Sequence, residues 1–122
     1  MKLENQVCSI GQAEKLKKLG VKQIHSLFYW THSEKWGIMP KSSIDFSGNP
    51  TAMFTAAELV QMNGNCYGIE YSDRDNQFYR QSDNNIFVHY DTFSQACADK
   101  LINAIEREWI TIDEVNNRLI EV

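Results

Sequence analysis

The stretch Ser9-Ile10-Gly11-Gln12 places a hydroxyl residue three positions before a glutamine, which is the pattern of a capping box at the start of a helix. In a capping box the hydroxyl accepts a hydrogen bond from the third helical amide, and the Glu or Gln side chain accepts one from the amide of the capping residue. The pattern recurs as Thr55-Ala56-Ala57-Glu58, Thr92-Phe93-Ser94-Gln95 and Thr111-Ile112-Asp113-Glu114. The chain is therefore predicted to contain four helices.

The sequence predicts the ends of the helices less precisely than their starts. The first helix should run from Ile10 to Leu19, because its apolar residues recur every three positions and Gly20 then supplies a left-handed stop on which Val21 can pack back. The second helix should run from Ala56 to about Met62. The third should begin near Phe93 and reach about Trp109, and the fourth should begin after Thr111.

Short runs of aromatic and β-branched residues between polar turns predict the strands. Residues 26–31 and 36–39 form a predicted hairpin, residues 41–53 a loop, and residues 66–71, 77–81 and 86–90 a three-stranded meander. In the last strand, Ile86, Val88 and Tyr90 share one face. The element order is α-ββ-α-βββ-αα, and we expect residues 1–122 to form one α+β domain with four helices packed on an antiparallel sheet of three to five strands.

Composition and charge restrict the function. The chain has 122 residues, of which 43% are hydrophobic, and this is a globular composition. A formal charge of -4 disfavours a nucleic-acid partner held by bulk electrostatics. The first 25 residues nevertheless carry five lysines against two glutamates. A nucleic-acid-associated accessory protein is therefore an alternative function, with four lysines of the first-helix region as its contacts: Lys15, Lys17, Lys18 and Lys22.

Three cysteines, Cys8, Cys66 and Cys97, are far apart and form no C-x-x-C pair, which favours reduced thiols in a cytoplasmic protein. The amino-terminal residues lack the apolar stretch of a signal peptide, and no segment is long and apolar enough to span a membrane. We therefore expect a cytoplasmic protein that does not associate with membranes.

Reactive groups are sparse. The histidines and cysteines do not lie at metal-ligand spacings, and the glycines form neither a dinucleotide fingerprint nor a phosphate loop, so no metal and no cofactor is expected. Cys66 and His89 could form a thiol–imidazole pair if their strands brought them together, which is the one enzymatic alternative. No oxyanion donor accompanies that pair, and we expect a protein that is not an enzyme.

The predicted hairpin carries Phe28, Tyr29, Trp30 and Trp36, so large rings occupy both of its faces. One face must pack on the core, and rings on the other face would be covered by another element, by a protein partner or by single-stranded nucleic acid. The leading functional hypothesis is a non-enzymatic protein-interaction module that binds through Phe28, Trp30 and Trp36, with the two tryptophans as anchors. Homodimerisation through the same hairpin is an alternative.

Several segments together resemble a set of small uncharacterised proteins carried by bacterial prophages and mobile elements. They are KLENQVCS at residues 2–9, KLKKLGVKQ at 15–23, SLFYW at 26–30, FTAAEL at 54–59 and QACADKLI at 95–102. The resemblance implies a phage or mobile-element origin in a bacterial cytoplasm. With that origin, we expect the partner of the interaction module to be a host or phage protein. The resemblance implies no activity and no functional residues, because the shared segments are helix caps and core stripes.

Overall fold

The computed structural model describes residues 3–31, 37–43, 49–64, 68–81 and 87–120. These residues form four α-helices, six strands and two single-turn 3-10 helices at Leu3–Asn5 and Lys41–Ser43. In chain order the elements are α1 (Ile10–Leu19), β1 (Phe28–Thr31), β2 (Gly37–Pro40), β3 (Thr51–Ala52), α2 (Ala56–Asn63), β4 (Glu70–Ser72), β5 (Gln77–Gln81), β6 (Phe87–Tyr90), α3 (Phe93–Glu106) and α4 (Ile112–Ile120). The α+β class and the predicted element order are confirmed, with β3 as an addition.

The strands are divided between two antiparallel sheets of three strands each, with the orders β2-β1-β3 and β4-β5-β6. The sequence did not predict this division. The additional strand β3 lies within residues 41–53, which were predicted as a loop, and it pairs Ala52 with Tyr29 and Thr51 with Trp30. A two-residue strand is too short to show the alternation from which strands are predicted.

All four predicted helix starts are confirmed. Ser9 and Thr55 form complete capping boxes. The hydroxyls of Thr92 and Thr111 accept from the amides of Gln95 at 3.1 Å and Glu114 at 3.2 Å. At each start, therefore, a side-chain oxygen accepts a hydrogen bond from one of the amides that have no acceptor within the helix.

The end of α3 differs from the prediction, because the helix stops at Glu106 instead of reaching about Trp109. Glu108 adopts a left-handed conformation with φ of 60°, and the amide of Trp109 then donates to the carbonyl of Ala104 at 2.9 Å. This is the hydrogen bond of a Schellman stop. Glutamate has no preference for the left-handed region, so the residue type does not signal the stop.

Side chains of helix α4 form hydrogen bonds with the backbone at the carboxyl ends of α1 and α2. The amide oxygen of Asn116 accepts from the backbone amide of Lys22 at 2.8 Å, while its nitrogen donates to the carbonyl of Gly20 at 3.2 Å. Arg118 donates to the carbonyls of Met62 at 3.3 Å and Asn63 at 2.9 Å. Both sets of contacts give hydrogen-bond partners to backbone groups at or just beyond the carboxyl ends of α1 and α2, where the last carbonyls have no partner within the helix.

The described core lies between the helices and the first sheet. Its fully buried side chains come from every helix and from the central strand of that sheet, as Leu16, Tyr29, Leu59, Leu101 and Val115. The second sheet instead packs one face against α3, where the rings of Phe78 and Phe93 lie 5.6 Å apart. This placement leaves the opposite face of the second sheet directed to solvent.

Candidate interaction surface

Trp30 is a core residue and not the exposed anchor that the hairpin pattern predicted. Only 7% of its surface is exposed, and Tyr29 beside it is fully buried. Tyr29 and Trp30 are consecutive strand residues that point to opposite faces of β1, and both belong to the buried core, so both faces of the strand are covered at this point. Phe28 is half-buried against the same core. Trp36 lies outside the described residues, so its part in partner binding stays a prediction.

The four lysines of the nucleic-acid alternative are engaged unequally. Lys15 forms an ion pair with Glu106 at 3.2 Å, and the ammonium of Lys17 donates to the carbonyls of Asn49 at 3.2 Å and Pro50 at 3.3 Å. Lys18 and Lys22 are exposed. Two of the four cations therefore contact their own chain, and the structure does not gather the four charges into one site.

The thiol–imidazole pair stays a prediction, because Cys66 lies outside the described residues. His89 is exposed on β6. The other two cysteines are buried, and burial raises the pKa of Cys8 to about 12, which keeps that thiol protonated near neutral pH. Among the described side chains, no group of three or more His, Cys, Asp or Glu lies close enough to hold a metal ion.

The register of the second sheet assigns its side chains to two faces. Residues that lie opposite each other in an antiparallel pair point to the same side. Tyr71, Phe78 and Tyr90 form one such row, which faces α3. Glu70, Tyr79 and His89 form the next row and therefore point to the opposite side, as Phe87 does. We call Tyr79, Phe87 and His89 the aromatic face.

The ring of Tyr79 contacts the other two rings of the aromatic face. Phe87 meets the ring of Tyr79 edge-on, with centroids 5.5 Å apart and planes at 81°, and the His89 ring lies 5.9 Å from Tyr79 on the neighbouring strand. Edge-to-face packing is a favoured geometry for aromatic pairs. Phe87 is nevertheless 55% exposed. The cluster is thus ordered by contacts between its own rings while much of its apolar surface remains in water.

Carboxylates lie beside these rings. Glu70 accepts a hydrogen bond from the hydroxyl of Tyr79 at 2.8 Å, and this bond raises the pKa of Tyr79. The guanidinium of Arg80 is directed to the other side of the sheet, where it donates to Asp99 at 2.8 Å and to the hydroxyl of Tyr90 at 3.1 Å. Arg80 therefore neutralises Asp99 on the α3 side of the sheet and not Glu70 on the outer side.

Two depressions flank the Tyr79–Phe87 pair, and both are lined by these two rings. The first has a volume of about 310 Å³ and is completed by Gly68, Glu70 and Arg80. The second has a volume of about 260 Å³ and is completed by Ser72, Asp75 and His89. Each depression thus combines aromatic walls with one carboxylate, which is the chemistry that holds an ammonium or guanidinium group.

A third cavity, of about 570 Å³, lies between the amino ends of α2 and α3. Its apolar walls include Ala56, Ala57, Phe78 and Phe93, and the carboxylate of Asp91 also lines it. Backbone amides at two helix starts favour an anion, whereas the carboxylate opposes one. This cavity has room for a small apolar group but has no single electrostatic preference.

The sequence indicates which residues share the aromatic face but not that this face is exposed. Alternation in 86–90 places Phe87 and His89 opposite Ile86, Val88 and Tyr90. Rings occur on both faces of this sheet, however, and the covered face depends on α3, which follows the sheet in the chain. The pattern therefore separates the two faces without showing which one is exposed.

Comparisons with protein-family models, curated proteins and solved structures found no match to this chain. In the described part of the chain, no helix combines the length and the apolar character that crossing a membrane requires.

Proposed function

We propose that the protein is a non-enzymatic protein-interaction module of phage or mobile-element origin, and that its contact surface is the aromatic face. The observation that carries the proposal is the 55% exposure of Phe87 within an ordered cluster of three rings. The proposed origin and a host or phage partner rest on the resemblance of the sequence segments alone.

Aromatic rings grouped on a rigid element are typical of the centres of protein interfaces. Large, stiff side chains bury much apolar surface on binding while losing little conformational freedom. A face built on three paired strands also holds its side chains in place before the partner arrives, and this lowers the entropic cost of association. Both properties favour the aromatic face over the hairpin, whose Trp30 is already covered by the core.

The nucleic-acid alternative has weaker support. Single-stranded nucleic acid could stack on exposed rings, but its phosphates would then lie near Glu70 and Asp75. Lys15 and Lys17 are engaged within the chain.

A second copy of this chain is an alternative protein partner. Light scattering of wild type and Phe87→Ala distinguishes a dimer formed through the aromatic face from a monomer.

Affinity capture from a bacterial lysate, followed by reconstitution with the purified partner, tests the proposal. Three immobilised proteins are compared: wild type, Phe87→Ala and Trp109→Ala. Trp109 is a matched control because it is 65% exposed on the connection between α3 and α4. We expect a partner whose binding is lost with Phe87→Ala and retained with Trp109→Ala. Equal binding by all three, or loss only with Trp109→Ala, would refute the aromatic face as the contact surface.

A further inference from the structure

We propose that the aromatic face binds a basic segment of its protein partner, with lysine or arginine side chains seated in the two depressions beside Tyr79 and Phe87. This inference rests on the proposed function and specifies the chemistry of the partner. It follows from the composition of the two depressions, which have the same two rings in common and each contain a different carboxylate.

The geometry suits a cation with an aliphatic stem. The quadrupole of an aromatic ring attracts a cation that lies over its face, and a carboxylate next to the ring adds a direct ion pair. The edge-on contact at 81° means that the rings of Tyr79 and Phe87 face different directions. Each ring can therefore meet a separate side chain, and the methylene stems of lysine and arginine would cover the apolar surface between them.

The charges around the face have the sign that this partner requires. The turn 73–76, which joins β4 and β5, adds Asp73, Arg74 and Asp75 to the Glu70 of the adjacent strand. Three carboxylates against one arginine leave this edge negative. Arg80, the other arginine of the sheet, contributes to the wall of the first depression but is paired with Asp99 on the inner side. A basic segment therefore meets complementary charge, whereas a polyanion is repelled.

Nuclear magnetic resonance titration of the whole chain tests the proposal. The probe is a short synthetic peptide in which glycine alternates with arginine or lysine. Three other probes accompany it: the same peptide with glutamate at the basic positions, the same peptide with neutral citrulline and acetyl-lysine, and oligothymidylate. We expect saturable amide shifts at residues 70, 75, 79, 87 and 89 with the basic peptide. Weaker or no shifts are expected with the other three probes.

Variants separate the rings from the charges. Phe87→Ala should weaken binding of the basic peptide about fivefold, whereas Trp109→Ala should leave it unchanged. The double variant Glu70→Gln, Asp75→Asn keeps the shape of the depressions and should weaken binding about threefold to tenfold. When salt is raised from about 0.05 M to about 0.5 M, the affinity of this double variant should fall less than that of wild type, because salt screens the charge pairs that the variant lacks. Amide spectra of each free variant verify that the fold is retained.

The outcomes distinguish the two proposals. If the basic peptide binds no more tightly than the citrulline peptide, or less tightly than oligothymidylate, the basic partner is refuted. A protein captured through Phe87 would then still support the interaction module. If both capture and peptide binding are indifferent to Phe87→Ala, the aromatic face is not a contact surface and both proposals fail.

Discussion

Replacing Tyr90 with phenylalanine should weaken the attachment of the second sheet to α3. The hydroxyl of Tyr90 donates to the carboxylate of Asp99 and accepts from the guanidinium of Arg80 at 3.1 Å, while Arg80 also donates to Asp99 at 2.8 Å. These three side chains, which we call the inner polar cluster, join β5 and β6 to the helix. Tyr90→Phe removes one oxygen from it without leaving a large cavity.

The magnitude follows from the exposure of the partners. A buried hydrogen bond to a charged group contributes about 1.5–3 kcal/mol. Asp99 retains 35% of its side-chain exposure, so water can replace part of the lost contact, and we expect a loss near the lower limit, about 1.5 kcal/mol. For a chain of 122 residues with an unfolding entropy of about 2.1 cal/mol/K per residue, this corresponds to a decrease in Tm of about 6 °C.

The pH dependence provides a second readout. Burial, together with the hydrogen bond and the charge of Asp99, raises the pKa of Tyr90 to about 12, above the ordinary value of 10.0. The unfolded chain therefore releases this proton first as the pH rises. The advantage of wild type over Tyr90→Phe should be constant from neutral pH to about pH 10 and should decrease between about pH 10 and pH 12.

Thermal unfolding followed by circular dichroism measures both effects. Tyr71→Phe is the matched control, because its hydroxyl donates to Asn76 at 2.6 Å in an exposed position where water can take over the bond. We expect Tyr71→Phe to shift Tm by less than about 2 °C. An equally small shift for Tyr90→Phe would show that the inner polar cluster contributes no more than a surface contact, and the stabilising role of Tyr90 would be refuted.

Two further predictions concern glycines in the helical region and the buried thiol of Cys8. Gly64→Ala should destabilise the protein by about 1–2 kcal/mol, because Gly64 has φ of +88° and an added Cβ would lie 2.7 Å from the guanidinium of Arg118. Gly11→Ala should instead stabilise the protein by up to about 1 kcal/mol, because Gly11 lies inside α1 and an added Cβ would meet no neighbouring group within 4 Å. Chemical denaturation compares the pair, and equal effects would contradict the interpretation. Iodoacetamide should label Cys8 only after unfolding, because the thiol is buried and burial raises its pKa to about 12. Mass spectrometry of the Cys8 peptide measures the labelling, and rapid labelling of the native protein would refute this prediction.

The sequence predicted the helices well because their signals are local. A capping box occupies four consecutive residues, and Ser9 and Thr55 make the predicted contacts within their own turns. The end of α3 was mispredicted because Glu108 adopts a conformation that its residue type does not favour. A local pattern can indicate a cap, whereas a stop made by an atypical residue depends on the packing that follows it.

The sheets were predicted less completely because strand pairing depends on distant residues. β3 pairs with β1 across more than twenty positions, and its two residues carry no periodic signal. That pairing makes β1 a central strand, and Trp30 is buried together with Tyr29 although its segment resembles an exposed aromatic hairpin. The prediction of Trp30 as an anchor failed because the burial of a ring depends on which elements cover its strand.

The ion pair between Arg80 and Asp99 on α3 contributes to the orientation of the second sheet. Both faces of this sheet carry rings, but Phe78 and Val88 lie on the face toward α3 whereas Glu70 lies on the outer face, so the apolar residues already favour the observed orientation. Arg80 lies opposite Val88 on the same inner face, and Asp99 on α3 accepts a hydrogen bond from it at 2.8 Å. Turning the sheet over would place Arg80 in water, leave Asp99 partly buried without its cation, and bring Glu70 against the helix. The cost of uncompensated charge therefore adds to the apolar preference for the face that packs inward, and this orientation leaves Phe87 on the outer face.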